Sequence, residues 1–294
     1  MAIHDFEPDH YFVTIGWHEP ALHIADGDTV RTKTLDALGN NQQGEKVGER
    51  GNPQTGPFYV EGAEPGDTLV VQIDSIVPNR VIGHTRNVLS ENIVDPEYVR
   101  ELPENEWIEW QVDYAAKTAS WGQFTFPVDM MIGCFGVAPP RGEAISTATS
   151  YINGGNMDYR GFREGVTVYL PVSAPGALFF LGDCHAVQGD GEIIGTGIEI
   201  SCDVQFTVQL QKGRTINTVR GENDTHIFAA GNARPLDQAT QHATTEIMRW
   251  LQSDYGFDAT DASVLLGMAV EYDIGNIYDP AYTMVCKMAK RWLP

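Results

Sequence analysis

Ahead of residue 235 the chain carries almost no helical period, and this constrains its fold more than any other feature. Its apolar stretches are short, alternate or are rich in β-branched side chains, and stop at glycine or proline. The stretches Tyr11 to Ile15, Thr68 to Ile73, Val166 to Leu170, Ala177 to Leu181 and Asp203 to Leu210 all read as strands. In the last, Val204, Phe206, Val208 and Leu210 share one face while Asp203, Gln205, Thr207 and Gln209 take the other, the period of a half-buried strand. Breaks at Glu64 to Asp67, Ala138 to Pro140 and Ala174 to Gly176 supply turns, in a chain with 30 glycines and 16 prolines.

The period changes after Pro235. Ala239, Ala243, Ile247, Trp250 and Leu251 step by three or four residues and predict a helix starting at Leu236. Asp258 is placed to cap a second helix carrying Ala262, Leu265, Leu266, Ala269 and Val270. Ser90 to Gln123 holds Trp107, Trp110 and Trp121 among acids without clear periodicity, and reads as a long excursion between sheets. The expected fold is mainly β, with stacked sheets in a β-rich region over 1–230, which two intertwined subdomains could share. An α-containing element over 231–294 packs on it.

Nineteen basic against 40 acidic residues give a net charge of −21, which disfavours nucleic acid and anionic membranes as partners. The N-terminus shows neither the basic nor the apolar segment of a secretory signal, and no apolar run approaches a membrane span. Cys134, Cys184, Cys202 and Cys286 are scattered without metal-binding spacing and are expected reduced and buried, consistent with a cytoplasmic protein.

The densest chemistry is Gly182 to Glu192. If the preceding strand runs on for three residues, Asp183 and His185 point the same way, as two ligands of a divalent ion or a base with its orienting acid. Asp190 and Glu192 follow among glycines, and such crowding is repulsive unless a cation or shared protons offset it. A solvated hairpin tip is the plainer reading. Asn153 to Asp158 sets Asn156 and Asp158 beside two flexible glycines, as a site edge or an Asx turn. Gly51 to Phe58 is a stiff loop of the kind that borders pockets, or an ordinary corner. Asp36 could reach a metal or serve as a turn acid.

Together, the blocks Gly56 to Leu69, Ile132 to Pro139, Gly154 to Asp158, Gly182 to Glu192 and Gly197 to Glu199 resemble the acetamidase/formamidase family in order and spacing. Thr34 to Ala37 and the closing helices fit too, so the resemblance covers nearly the whole chain, while Asn40 to Gly51 and Ser90 to Gln123 match only loosely. The resemblance implies a β-sandwich with a smaller α+β element, a homo-oligomer, and hydrolysis of formamide, acetamide or another small neutral amide to carboxylate and ammonia. It also implies a divalent metal, zinc first; by donor chemistry Asp and His serve manganese alike, and additional carboxylates could accept calcium. Carried over residue by residue, Asp36, Asp183 and His185 are the expected metal ligands; Glu192, Glu199 and Asp158 are catalytic candidates; Asn156 and Gly155 are substrate-binding candidates.

A zinc ion lowers the pKa of water from about 15.7 to about 7 and polarises a carbonyl. The expected base is Glu192, with Glu199 behind it, passing the proton to the departing ammonia. Cys184 is the rival nucleophile, but on an extended strand it points away from Asp183 and His185. A non-catalytic, ion- or ligand-binding sandwich and a metal-dependent hydrolase of another small substrate are the competing functions.

Overall fold

The computed structural model describes all 294 residues. Two large sheets form the body. The nine-stranded one runs, in spatial order, Ile3–Asp5, Thr29–Lys33, Cys202–Gln211, Thr68–Pro78, Thr167–Pro171, Arg220–Glu222, His226–Ala233, Tyr282–Ala289 and Glu271–Ile274. The six-stranded one runs Ser150–Tyr151, Gly154–Asn156, Met131–Val137, Phe179–His185, Thr55–Val60 and Leu22–Ile24. They stack face to face around one core: the Phe206 ring meets those of Phe58 and Phe179 edge-on, each at 5.2 Å. The alternation in Cys202–Gln211 is the cause on one side, since Val204, Phe206 and Val208 are buried while Asp203 and Gln209 face water. The mainly β fold is thus present, with two further small sheets and two C-terminal helices.

The helices fall where the period places them. α1 (Leu236–Tyr255) buries Ala239, Ala243, Ile247, Trp250 and Leu251 against the strands His226–Ala233 and Tyr282–Ala289. α2 (Ala259–Ala269) is capped by Asp258, whose carboxylate accepts from the N–H groups of Thr260 and Asp261. The chain beyond residue 230 is more than helical, for Tyr282–Ala289 and Glu271–Ile274 complete the large sheet. All four cysteines are free and buried.

Part of Ser90 to Gln123 is sheet. Trp107–Asp113 and Thr118–Trp121 join Ile82–Arg86 and Phe124–Pro127 in a four-stranded antiparallel sheet. Trp110 and Val112 are buried between exposed Glu109, Gln111 and Asp113, a period of two masked by the acids around it. No helix is long and apolar enough to cross a membrane.

Candidate active site

The strand Phe179–His185 runs on into the start of the crowded block, and Asp183 and His185 do meet, with His185 Nε2 3.3 Å from Asp183 Oδ1. Residues 198–200 pair with 184–187, setting Glu199 opposite His185, its Oε1 3.1 Å from the same Nε2. The other strand neighbour of Glu199 is His84, so this residue joins the hairpin sheet to the sandwich. Asp158 and Glu192 complete a second group on His185; in each group the ligand atoms lie within 4.8 Å of one another and all three residues are buried.

The imidazole is fixed by its other nitrogen. Gln188 Nε2 donates to the carbonyls of Asp158 and Gly275, which turns Gln188 Oε1 toward His185 Nδ1 at 2.7 Å. Nδ1 therefore carries the proton and donates, leaving Nε2 directed into the acids. Backbone glycines close the space from behind. A Cβ on Gly133 would sit 2.3 Å from Asp158 Oδ1 and 3.0 Å from Asp183 Oδ2, and one on Gly197 would sit 2.4 Å from His185 Nδ1. Asp158, Asp183 and Glu192 all hold positive φ, at 43°, 60° and 48°, a conformation non-glycine residues keep only where the surroundings enforce it.

Asp279, which sequence reasoning did not single out, is buried beside them. It sits between the strands Glu271–Ile274 and Tyr282–Ala289, and its Oδ2 accepts from Asn156 Nδ2 at 2.6 Å. Asn156 Oδ1 in turn accepts from Asn52 Nδ2 at 2.7 Å, so this side-chain amide is committed at both ends. Asp279 lies in a Tyr-Asp-Pro turn sequence, and nothing local distinguishes it from an ordinary turn acid. Gly155 is a packing glycine, where a Cβ would strike the Thr149 carbonyl at 2.4 Å.

The structure does not bring Asp36 to the cluster. Its carboxylate accepts from the N–H groups of Leu38 and Asn40, from Asn40 Nδ2 and, at 2.5 Å, from Arg80 Nη2. Arg80 also reaches the Glu199 carbonyl at 3.3 Å, so Asp36 touches the site through that guanidinium. Asp190 is outside as well, half exposed and paired with Arg160. Cys184 faces the core, where its Sγ accepts from Thr34 Oγ1 at 3.6 Å.

Electrostatically the cluster is unbalanced. Burial, then the neighbouring Glu192, Asp279 and Asp183, hold Asp158 well above the usual carboxylate range; burial and then Asp279 do the same to Glu192. Burial pushes Asp279 up to about 7 against its hydrogen bonds, and Glu199 up to about 8 against the pull of His185. Burial alone would lower His185, yet Glu199 and Asp183 outweigh it and hold the imidazole well above 6.5. Asp158 Oδ1 and Glu199 Oε2 are buried with no hydrogen-bond partner. Orphaned carboxylate oxygens around an imidazole whose Nδ1 is tied to Gln188 are what a divalent ion would satisfy in place of the ring's second proton, and the donor set fits one.

A mainly β sandwich with a buried carboxylate and imidazole cluster at the end of an interior strand of one sheet describes the class of protein. A sequence model of the Acetamidase/Formamidase family matches residues 13–142 and 141–288, and the chain belongs to that family of amide hydrolases. The solved structure of an acetamidase from Yersinia enterocolitica is 32% identical, with a TM-score of 0.87 over 98% of this chain and 92% of that one. That of a predicted acetamidase/formamidase from Thermoanaerobacter tengcongensis is 26% identical, with a TM-score of 0.89 over 99% and 96%. A formamidase from Methylophilus methylotrophus is 26% identical over 257 residues, covering 67% of this chain and 63% of the relative. The chain spans less than two thirds of the length of the curated relatives it matches.

Proposed function

We propose that this protein hydrolyses short aliphatic amides, formamide or acetamide among them, to carboxylate and ammonia, with a divalent ion held by Asp183, His185 and Glu199. The observation that carries the reading is His185: its Nδ1 is tied to Gln188 while Nε2 faces Asp183 and Glu199 at 3.3 and 3.1 Å. When bound, the ion supplies Lewis acidity, sharpening a water and polarising the amide carbonyl. One imidazole with carboxylates suits zinc, and manganese or calcium by the same donors.

The protein's own groups do the rest. Glu192 lines the cavity, and a pKa held well above the usual carboxylate range makes its ionised form a strong base, which accepts a proton from the attacking water and returns it to the departing nitrogen. Asp158 stands beside it in the same group on His185, its own carboxyl raised by burial and then by Glu192. Asn156 is a positioning residue that anchors Asp279, and Asp36 positions Arg80 against the Glu199 backbone. We also propose a homo-oligomer, supported by the exposed stack of Trp121, Phe124 and Phe126 with ring centroids 6.1 and 6.3 Å apart. Light scattering reads that state directly.

The test pairs metal analysis of the purified protein with ammonia release from formamide and acetamide. Wild type is expected to hold ion and release ammonia, and His185→Ala or Asp183→Ala to lose both. Full turnover by metal-stripped His185→Ala overturns the reading, and an ion-holding wild type that releases ammonia from no amide is a binding module.

A further inference from the structure

The acids open into a cavity of about 840 Å³. Formamide or acetamide fills a small part of it, for this volume falls in the range that holds drug-sized ligands. Asp183, Glu192, Glu199 and Asp279 line one part of its wall, and Arg50, Arg86 and Trp107 another. The Arg86 guanidinium stacks on the Trp107 ring, Cζ 3.9 Å from the centroid, and that of Arg50 approaches the same ring at 5.7 Å.

Neither guanidinium is paired with a carboxylate, although the chain has 40 acids and 19 basic residues. The charged neighbour that Arg86 feels is Arg50: burial and then that like charge pull Arg86 below its ordinary pKa. Register explains the pairing with tryptophan, since Arg86 ends the strand Ile82–Arg86 directly opposite Trp107. Stacking holds the guanidinium plane and leaves its N–H edge free, the geometry that takes a carboxylate in two parallel bonds. Two converging cations in a strongly acidic chain repel each other until an anion lies between them.

We propose that the cavity binds amides carrying a carboxylate, the half-amides of short dicarboxylic acids, with the acid end held by Arg50 and Arg86 over Trp107 and the amide end at the carboxylate and imidazole cluster. This rests on the amidase reading and deepens it. The water oxygen bonds to the amide carbon, the C–N bond breaks, the nitrogen leaves as ammonia with a proton from water, and the products are a dicarboxylate and ammonium.

The experiment compares kcat/KM for the half-amides of malonic, succinic and glutaric acid with that for the matching neutral diamides. Wild type is expected to prefer at least one half-amide by about tenfold or more, as a charge-assisted contact supplies. Arg86→Met and Arg50→Met, an exposed position where folding is not at stake, are expected to bring that ratio toward one; Arg86→Lys keeps charge and restores part of it. A diamide preferred throughout, or a ratio unmoved by both methionine variants, overturns the proposal. Calorimetric binding of the same compounds to metal-stripped protein separates the two readings. If no amide of either kind is hydrolysed the amidase reading falls, whereas half-amide binding weakened tenfold by Arg86→Met upholds the anion subsite and its absence removes it. Tighter binding of phosphonoacetamide than of any half-amide overturns the choice of carboxylate.

Discussion

His185 shows how much one side chain's function depends on backbone that carries no chemistry. Its ring is held by Gln188 on one side and has Gly197 against it, where a Cβ would lie 2.4 Å from Nδ1. Gly133 does the same service for Asp158 and Asp183. Gly197→Ala and Gly133→Ala are therefore expected to shift the cluster by a fraction of an ångström to an ångström and to reduce ammonia release by about 100-fold. Far-UV circular dichroism should stay unchanged; a variant with wild-type turnover would show that the ring tolerates displacement. Asp183 and His185 were legible as a pair from strand alternation alone. Asp36 was not legible as an outsider: an acid in a turn and an acid on a metal look alike until its partners, Leu38, Asn40 and Arg80, are seen.

At the scale of elements, α1 was readable because its stripe of alanines and large apolar residues, Ala239 to Leu251, repeats over about three turns. One residue breaks that stripe. Glu246 is fully buried, with its Oε1 2.8 Å from Arg220, whose guanidinium also lies over Trp250 at 5.0 Å. Removing one partner of a buried pair leaves the other charged and dry, so Glu246→Ala is expected to destabilise by about 3 to 5 kcal/mol. Urea denaturation measures this, and a midpoint equal to wild type would mean that water reaches Arg220. The hairpin sheet was the opposite case. Trp110 and Val112 do alternate with exposed Glu109, Gln111 and Asp113, but only these two positions of the strand Trp107–Asp113 are fully buried and the aromatics around it are exposed, so its period competes with noise.

For the whole molecule, the unbalanced cluster couples folding to pH and to cation. Glu199 at about 8 and Asp279 at about 7, with Asp158 and Glu192 also raised, keep protons that an unfolded chain releases near pH 4. The native state then binds more protons, so metal-free stability falls as pH rises from about 4 through about 8. His185 acts in the same sense: its raised pKa stabilises below about 6.5 and that contribution is lost as pH climbs through the folded value. A divalent ion replaces the protons, so adding zinc to EDTA-treated protein is expected to raise Tm more at pH 8 than at pH 5. Equal shifts at both values would mean that these acids do not share the ion. Alternation and spacing, being local, were enough for the strands Thr68–Pro78, Thr167–Pro171 and Cys202–Gln211, both helices, the buried cysteines and the pairing of Asp183 with His185, whereas the run Tyr11 to Ile15 keeps only Thr14–Ile15 as strand and Ala177 and Leu178 turn at positive φ ahead of Phe179–His185. The placement of Glu199 opposite His185, the arrival of Asp279 from a distant turn and the diversion of Asp36 to Arg80 were decided by tertiary structure, because strand neighbours and loop packing join residues whose separation along the chain carries no record of their contact.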